Sequence, residues 1–283
     1  MKYIFFTIAI ASLALLQASA QVPANQKNNN SDSMNRIERT KKTYKELFGQ
    51  DISASKTDPE LLTILQRFIF GEVFYAGNLD NKTRELITIT TLTVNQTLPQ
   101  LKSHTNAALN VGVKPIEIRE SIYQLAPFIG FPKVLNALDT INSVFQSRGI
   151  QLPLQNEGTV KEDERLQKGK EKQVPLYGSG MKQAMKDLPG GFDTIIPDML
   201  TTSLFADFYT RGGLDIKTRE LLIYCALVTL GGTERQMASH AVGNLKVGNS
   251  KETLIAAMVQ CYPYIGFPRI SNAINVLKDA KIE

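Results

Sequence analysis

Large apolar side chains recur along most of the chain with the period of an α-helix. Between Leu61 and Phe74 they are spaced three and four residues apart, which predicts a helix with one broad buried face. Segments 85–94 and 116–125 continue this pattern. No stretch shows the sustained period-two alternation between hairpin turns that predicts β-strands. The pattern therefore predicts an all-α fold.

The predicted helices carry residues suited to their ends. Asp80 and Asp215 each precede a helical run, where an aspartate accepts hydrogen bonds from the free amides of the first turn. In the two IGFP motifs, at 129–132 and 265–268, the glycine is expected to end one helix and the proline to occupy the first turn of the next.

The helical pattern occurs twice. LDNKTREL at Leu79–Leu86 matches LDIKTREL at Leu214–Leu221 at seven of eight positions, and QLKSHTNAALNVG and IGFPKVLNAL are likewise followed later by QMASHAVGNLKVG and IGFPRISNAI. A period above 100 residues indicates a duplicated domain rather than a solenoid. Residues 151–164 are polar and match neither copy. We therefore predict a first domain at 36–150, a linker at 151–164 and a second domain at 165–283.

The first 35 residues are expected to lie outside these domains. Residues 1–20 have a basic start at Lys2, an apolar stretch and small residues ending at Ala20, which is the pattern of a secretory signal peptide. The apolar stretch is shorter than the roughly 20 residues that span a bilayer. Residues 21–35 are polar and are predicted to be a disordered spacer. The protein is thus expected to be exported, periplasmic or secreted after cleavage near Ala20, without a membrane span.

Charge and cysteine content narrow the classes of function. The formal charge is +5, but basic and acidic residues are mixed, so the clustered stripe of a nucleic-acid binder is missing. The two cysteines, Cys225 and Cys261, both lie in apolar helical runs, which predicts two small core residues. In an exported protein they could instead form one disulfide. No nucleic-acid partner is expected.

The ordered motifs FGEVF, KTREL, QLKSH, EIRE and IGFP resemble the carboxymuconolactone decarboxylase family, which also contains alkyl hydroperoxidase D-type enzymes. The resemblance covers 36–145 and 165 to the C-terminus. It implies two tandem helical domains of this fold, with a site between helices near the histidine. It also implies association through helical faces, with a pseudo-dimer inside one chain and a homo-oligomer of chains.

The chain departs from the redox members of that family, which carry Cys-x-x-Cys-x-x-x-His. The aligned stretches read TLPQLKSH, ending at His104, and TERQMASH, ending at His240, so both thiols are missing from both copies. A threonine hydroxyl cannot form the sulfenic acid and disulfide that thiol-based peroxide reduction needs. Peroxidase activity therefore stays a disfavoured alternative.

The Thr-x-x-Gln motif in these stretches has two interpretations. In a capping box, Thr97 and Thr233 would accept from an amide of the first turn while Gln100 and Gln236 reach back to the helix start. Alternatively, each glutamine lies four residues before the histidine and points with it into a substrate pocket.

His104 and His240, the only histidines, recur at equivalent positions of the two copies. Imidazole can both accept and donate a proton near neutral pH. Glu85 and Glu220 lie 19 and 20 residues earlier, on the preceding helix. The functional interpretation is a carboxylate that orients the imidazole; the alternative is a buried pair with a structural role. No set of metal ligands at convincing spacing accompanies either histidine.

Arg84 and Arg219 directly precede these glutamates. They are expected either to belong to a structural network or to bind a substrate carboxylate. Neighbours on a helix point about 100° apart, so the arginine and the glutamate are expected to face different surroundings. Glu72 is a second acid at a position that the pattern buries, and Arg39 is a further candidate for substrate binding.

The resemblance implies loss of CO2 from a small anionic lactone or unsaturated acid, without a cofactor. His104 would donate the proton, Glu85 or Glu72 would assist it, and Arg39 or Arg84 would bind the substrate carboxylate; His240 and Glu220 would repeat the arrangement. The second copy has Thr253 and Ala256 where the first has Glu117 and Glu120, which predicts that the first repeat carries the activity. A non-catalytic binding or assembly protein is the remaining alternative.

Overall fold

The computed structural model describes residues 34–281. The signal peptide predicted at 1–20 and nearly all of the spacer predicted at 21–35 lie outside the described residues. Within them every regular element is helical, which confirms the predicted fold class. No helix of the described part is long and apolar enough to cross a membrane.

The first repeat consists of seven α-helices and a short 3₁₀ turn. The helices are α1 Arg36–Phe48, α2 Pro59–Gly71, α3 Asn81–Asn95, α4 Leu98–Asn110, α5 Pro115–Tyr123, α6 Ala126–Ile129 and α7 Phe131–Ser147, with the 3₁₀ turn at Val73–Tyr75.

The second repeat follows the same course with more irregular helices at its start. Its helices are α8 Arg165–Tyr177, α9 Gly180–Ala184, α10 Phe192–Leu200, α11 Ile216–Leu230, α12 Glu234–Lys246, α13 Lys251–Ile265 and α14 Phe267–Asp279, with 3₁₀ turns at Glu162–Glu164 and Pro189–Gly191 and a π-helix at Thr201–Tyr209.

The helix ends follow the sequence signals in both repeats. The side chain of Asp80 accepts a hydrogen bond from the amide of Thr83 at 2.7 Å, and Asp215 accepts one from Thr218 at the same distance. Gly130 and Gly266 have positive φ angles of 83° and 78°, each between the end of one helix and the start of the next. This backbone conformation favours glycine, which has no Cβ.

Helices α3 and α11 form the centre of the molecule and pack against each other. Every residue from 84 to 94 and from 219 to 229 is buried. A helix that is buried on all sides needs partners on all sides, and here the other repeat supplies one of them. The described residues from 35 onward accordingly form one compact unit.

The contact between the repeats has twofold pseudo-symmetry. Arg84 donates a hydrogen bond to Gln260 of the second repeat at 3.1 Å, and Arg219 donates one to Gln124 of the first at 3.4 Å. The two glutamines occupy equivalent positions, as do the two arginines. The chain thus contains an internal pseudo-dimer.

Candidate functional site

Each repeat brings its histidine against a buried glutamate of the preceding long helix. Nδ1 of His104 on α4 lies 2.9 Å from Oε2 of Glu85 on α3, and Nδ1 of His240 on α12 lies 3.1 Å from Oε2 of Glu220 on α11. Both carboxylates are fully buried. Because Nδ1 is occupied by the glutamate, Nε2 is the nitrogen of each ring that remains for a ligand.

Two tyrosine hydroxyls form hydrogen bonds with the carboxylate of the second site. Tyr177, at the end of α8, lies 2.7 Å from both oxygens of Glu220 and 2.7 Å from Nδ1 of His240. Tyr209, at the end of the π-helix, donates to Oε1 of Glu220 at 2.6 Å. The four side chains form one hydrogen-bonded cluster.

Both phenols remain protonated at neutral pH. Burial raises the pKa of Tyr177 well above its ordinary value, and the neighbouring Tyr209 and Glu220 raise it further. Burial, and then the charge of Glu220, has the same effect on the pKa of Tyr209. The two hydroxyls therefore act as hydrogen-bond donors to the carboxylate.

The first site has the same histidine and glutamate in less polar surroundings. The positions equivalent to Tyr177 and Tyr209 are Phe48 and Phe74. Without those hydroxyls, Oε1 of Glu85 is buried and has no hydrogen-bond partner among the described residues. A buried polar atom of this kind is costly, so the first site is less complete than the second.

Each histidine also contacts an aromatic side chain of the other repeat. The ring centroid of Phe128 lies 5.8 Å from that of His240, and Tyr264 lies 5.7 Å from His104, both edge to face. Phe128 and Tyr264 are equivalent residues. Both sites are consequently built from two repeats, and neither would be complete in an isolated half.

A cavity of about 490 Å³ opens at the second site. This volume lies within the range typical of pockets for small molecules. Its walls are mainly apolar, and the polar groups that reach it come from α8 and α12. Residues that define its chemistry are Tyr177, His240, Phe128, Phe205, Arg235 and Gln236.

Arg235 and Gln236 are exposed residues of the first turn of α12, and both border the cavity. The corresponding residues of the first repeat are Pro99 and Gln100, so the first repeat has no cation at this position. An arginine at the rim of an apolar cavity suits a carboxylate ligand.

Sequence reasoning missed four residues of the second site: Tyr177, Tyr209, Arg235 and Phe128. Three of them could have been found by comparing the two copies. Tyr177 and Tyr209 replace phenylalanines of the first repeat, and Arg235 replaces a proline. Phe128 is not detectable in this way, because its contact with His240 depends on how the repeats pack.

Arg84 and Arg219, considered for substrate binding, are instead buried between the repeats. Arg84 donates to the backbone carbonyls of Val73, Leu79 and Ala76 in addition to Gln260. Burial lowers its pKa to about 10, so it stays charged at neutral pH. The arginine and the glutamate of each KTREL motif thus face different surroundings, as the helical geometry requires.

Glu72 lies outside the first site. Its carboxylate forms an exposed ion pair with Arg36 at 2.5 Å, so the prediction that the position is buried is wrong. The equivalent residues of the second repeat, Arg165 and Asp207, form the same ion pair. The pair joins α1 to the residue that follows α2 in the first repeat, and α8 to the π-helix in the second. Separately, Arg39 stacks on the ring of Tyr75, with its guanidinium carbon 4.7 Å from the ring centre.

The predicted capping boxes are also wrong. Thr97 and Thr233 are at the N-cap positions of α4 and α12, but neither side chain caps its helix. Their hydroxyls donate to the carbonyls of Leu92 and Leu227 at the end of the preceding helix. Gln236 is therefore not engaged in capping and borders the cavity.

The acids that the second repeat lacks are not part of the first site. Glu117 accepts a hydrogen bond from the amide of Lys114 and caps α5. Glu120 is buried at the contact between repeats, where it binds Arg211 at 2.8 Å, Arg119 at 3.0 Å and Arg219 at 3.4 Å. Their loss from the second copy is therefore no reason to assign the activity to the first.

The two cysteines are buried free thiols. The neighbouring Cys261 and then burial raise the pKa of Cys225 well above its ordinary value. The residues described contain no group of three or more His, Cys, Asp or Glu side chains placed to hold a metal ion.

The sequence pattern of the Carboxymuconolactone decarboxylase family matches the chain twice, at residues 59–142 and 196–279. These matches cover more than half of the sequence. The protein belongs to this family and carries two tandem copies of its domain.

Two curated proteins share part of this sequence. An uncharacterized 15.0 kDa protein in the nqo9-nqo10 intergenic region of Paracoccus denitrificans is 41% identical over 78 residues, or 27% of this chain and 58% of that protein. Nitrosuccinic acid decarboxylase npaB of Metarhizium robertsii is 31% identical over 75 residues, or 26% of this chain and 52% of that protein. The chain spans somewhat more than half the length of each relative.

Proposed function

We propose that the protein is a decarboxylase of a small organic acid with two anionic groups, and that His240 in the second repeat donates the proton. The observation that carries this proposal is the His240–Glu220 pair at the wall of a cavity of about 490 Å³ with Arg235 at its rim. Membership of the family and the partial likeness to a nitrosuccinic acid decarboxylase support the type of reaction.

The reaction needs an electron sink in the substrate and an acid in the protein. When the bond between the carboxyl carbon and its neighbour breaks, CO2 leaves and the electron pair passes into an adjacent lactone or nitro group. The Nε2–H of a protonated His240 then gives its proton to that carbon. Glu220 stabilises the positive ring before the transfer through its hydrogen bond to Nδ1.

Arg235 is expected to bind the carboxylate that remains on the substrate. A carboxylate that leaves as CO2 loses its charge in the transition state, so a cation bound there would favour the substrate over the transition state. A cation on the retained carboxylate positions the substrate without that penalty. The expected substrates are therefore small dicarboxylates, with the apolar cavity wall around the carbon chain.

The second repeat is the better candidate for the chemistry. This reverses the expectation that the first repeat carries the activity, which was based on the acids missing from the second copy. Its carboxylate has hydrogen-bond partners for both oxygens, whereas Oε1 of Glu85 has none among the described residues. Only the second copy has an arginine at the position of Arg235. The first repeat then contributes Phe128 to the working site.

Peroxidase chemistry of the alkyl hydroperoxidase D type gains no support from the site. The positions of the reactive thiols hold Thr97, Gln100, Thr233 and Gln236, and the two cysteines are buried elsewhere. Their burial is unfavourable for a reactive thiolate.

We also propose export and further association, both from the sequence. The pattern at 1–20 supports cleavage near Ala20, which N-terminal sequencing of the mature protein would detect. The resemblance to the family supports assembly of several chains, which light scattering would measure.

The proposal is tested by measuring CO2 release and ultraviolet absorbance with 4-carboxymuconolactone and with nitrosuccinate. We expect turnover of at least one of them, and a loss of about 10²- to 10⁴-fold in Glu220→Gln, because the variant cannot stabilise the protonated ring. Glu72→Gln is the matched control, since its exposed ion pair lies outside both sites. Neither compound being turned over, or equal loss in the two variants, would contradict the proposal.

A further inference from the structure

The proposed reaction leaves the hydroxyl of Tyr177 without a role, although this group lies at the centre of the cluster. It is 2.7 Å from Nδ1 of His240, which is closer than the 3.1 Å between that nitrogen and Glu220. Tyr177 also lines the cavity. Tyr209, by contrast, contacts Glu220 but forms no hydrogen bond with His240 within the described residues.

We propose that Tyr177 is a positioning residue for His240, and that Gly243 is the residue that gives its hydroxyl room. The inference rests on the proposed function of the second site. It assigns a role in catalysis to a pair of residues that distinguishes the second repeat from the first.

The direction of the hydrogen bonds follows from the number of protons and lone pairs that each group has. A phenol has one proton to donate and lone pairs that accept. The buried carboxylate of Glu220 is the stronger acceptor, so the proton of Tyr177 is directed to it. The Nδ1–H of His240 is then shared between the phenolic oxygen at 2.7 Å and Oε2 of Glu220 at 3.1 Å. Held in this way, the ring keeps its Nδ1 proton throughout and presents Nε2 as the nitrogen that exchanges protons with the substrate.

The proton count closes with one proton taken up from solvent in each turnover. When the Nε2–H bond of the imidazolium breaks and the new C–H bond of the product forms, the ring becomes neutral and retains Nδ1–H between Tyr177 and Glu220. Nε2 then takes up a proton from the solvent, which replaces the one consumed by decarboxylation. Tyr177 gives up no proton in this cycle, because its raised pKa keeps it a donor to Glu220.

Gly243 on α12 has no side chain and so leaves space for the hydroxyl of Tyr177. A Cβ at this position would lie 2.7 Å from the hydroxyl of Tyr177 and 3.0 Å from Oε2 of Glu220. The equivalent residue of the first repeat is Ala107, and there the ring without a hydroxyl is Phe48. Each repeat therefore has a compatible pair: tyrosine with glycine in the second, and phenylalanine with alanine in the first.

The hydrogen bond can be tested without a substrate, because the chain contains only two histidines. In protein labelled with ¹⁵N-histidine, we expect Tyr177→Phe to shift the Nδ1 signals of His240 and to leave those of His104 unchanged. Tyr209→Phe removes the other phenol from Glu220 and is expected to cause a smaller shift. An unchanged His240 signal in Tyr177→Phe, or equal shifts in the two variants, would overturn the inference.

The role in turnover is tested by kinetics with whichever of the two acids is a substrate. Tyr177→Phe should lower kcat about tenfold to a hundredfold with KM changed by less than about twofold, because the residue positions the acid rather than the substrate. Gly243→Ala should cause a similar loss alone. In the Tyr177→Phe background it should cause no further loss, since the first repeat tolerates that combination.

These experiments separate the inference from the proposed function. Additive losses for Tyr177→Phe and Gly243→Ala, in variants that unfold at the wild-type temperature, would overturn the role of the pair while leaving decarboxylation intact. Absence of turnover in the wild type would contradict the proposed function, and the ¹⁵N signals would still decide whether Tyr177 holds His240.

Discussion

Single residues distinguish two sites that share the same histidine–glutamate pair. Around Glu220 the chain places two phenols, and at the rim of the cavity it places Arg235. At the two equivalent positions of the first repeat it has Phe48 and Phe74. Differences of this size change the chemistry of a site while leaving the fold unchanged.

Arg235→Ala tests the binding of the retained carboxylate. We expect KM to rise about tenfold or more with a smaller change in kcat, because a charge-assisted hydrogen bond contributes roughly 1.5–3 kcal/mol to binding. Lys102→Ala removes an exposed cation from the corresponding helix of the first repeat and should leave KM unchanged. If kcat falls while KM stays constant in Arg235→Ala, the arginine does not act as an anchor for the substrate.

The histidine–glutamate pairs could be predicted from the repeat, because equivalent residues on consecutive helices recur at nearly the same spacing. The predicted burial of Glu72 is wrong, because its exposure depends on how α2 packs and not on the local pattern. The contact of Tyr177 with His240, 63 residues along the chain, requires the packing of α8 against α12. Local periodicity carries no information about such contacts.

At the scale of elements, α8 is positioned by its close approach to the π-helix. A Cβ on Gly169 would lie 2.3 Å from the carbonyl oxygen of Thr201, so only glycine allows this packing distance. These two elements carry Tyr177 and Tyr209, and their approach sets the distance of both hydroxyls from Glu220.

Gly169→Ala is therefore expected to destabilise the protein by about 1–3 kcal/mol, because backbone atoms must move apart. The same displacement should lower kcat. Gly180→Ala is the control, since a Cβ at Gly180 on α9 would meet no atom within 4 Å. Denaturant unfolding of both variants measures the difference, and equal stability would show that α8 is not held by this contact.

The buried network around Glu120 predicts a dependence of stability on pH. Burial alone would raise the pKa of Glu120, but the hydrogen bond and charge of Arg211, followed by Arg119 and Arg219, lower it below the usual value. Because the folded-state pKa is depressed, this stabilisation is present above the pKa of an unfolded glutamate, about 4.3. It is lost as the pH falls through the lower folded value.

Glu120→Gln should lower the free energy of unfolding at pH 7 by about 3 kcal/mol, because three arginines lose their counter-charge. The difference from wild type should narrow below about pH 4 as the wild-type carboxylate is protonated. Glu117→Gln serves as the control, since that side chain only caps α5. A difference that stays constant between pH 7 and pH 3 would contradict the ionic account of this network.

At the scale of the whole molecule, the two repeats depend on each other for their core and for their sites. One hydrophobic cluster contains side chains of both. The crossed Arg84–Gln260 and Arg219–Gln124 pairs and the crossed aromatic contacts follow the same pseudo-twofold relation. The duplication could be predicted from the sequence and the pseudo-dimer from the resemblance to the family. The extent of the shared core could not, since an apolar helix in each repeat is also compatible with two separate domains.

A shared core predicts a single unfolding transition for the full chain. Far-ultraviolet circular dichroism and tyrosine fluorescence should give the same midpoint in denaturant, because neither repeat remains folded without the other. Two resolved transitions would show that the repeats are independent units.

The central claim, that the second site performs the reaction and the first supports it, is tested most directly by paired substitution of the two histidines. The rate of CO2 release would be measured for His240→Asn and His104→Asn with the same acid substrate. We predict a loss of at least about a hundredfold for His240→Asn, which lacks the proton donor, and a loss of less than about threefold for His104→Asn. Equal losses in the two variants, or a larger loss in His104→Asn, would contradict this account.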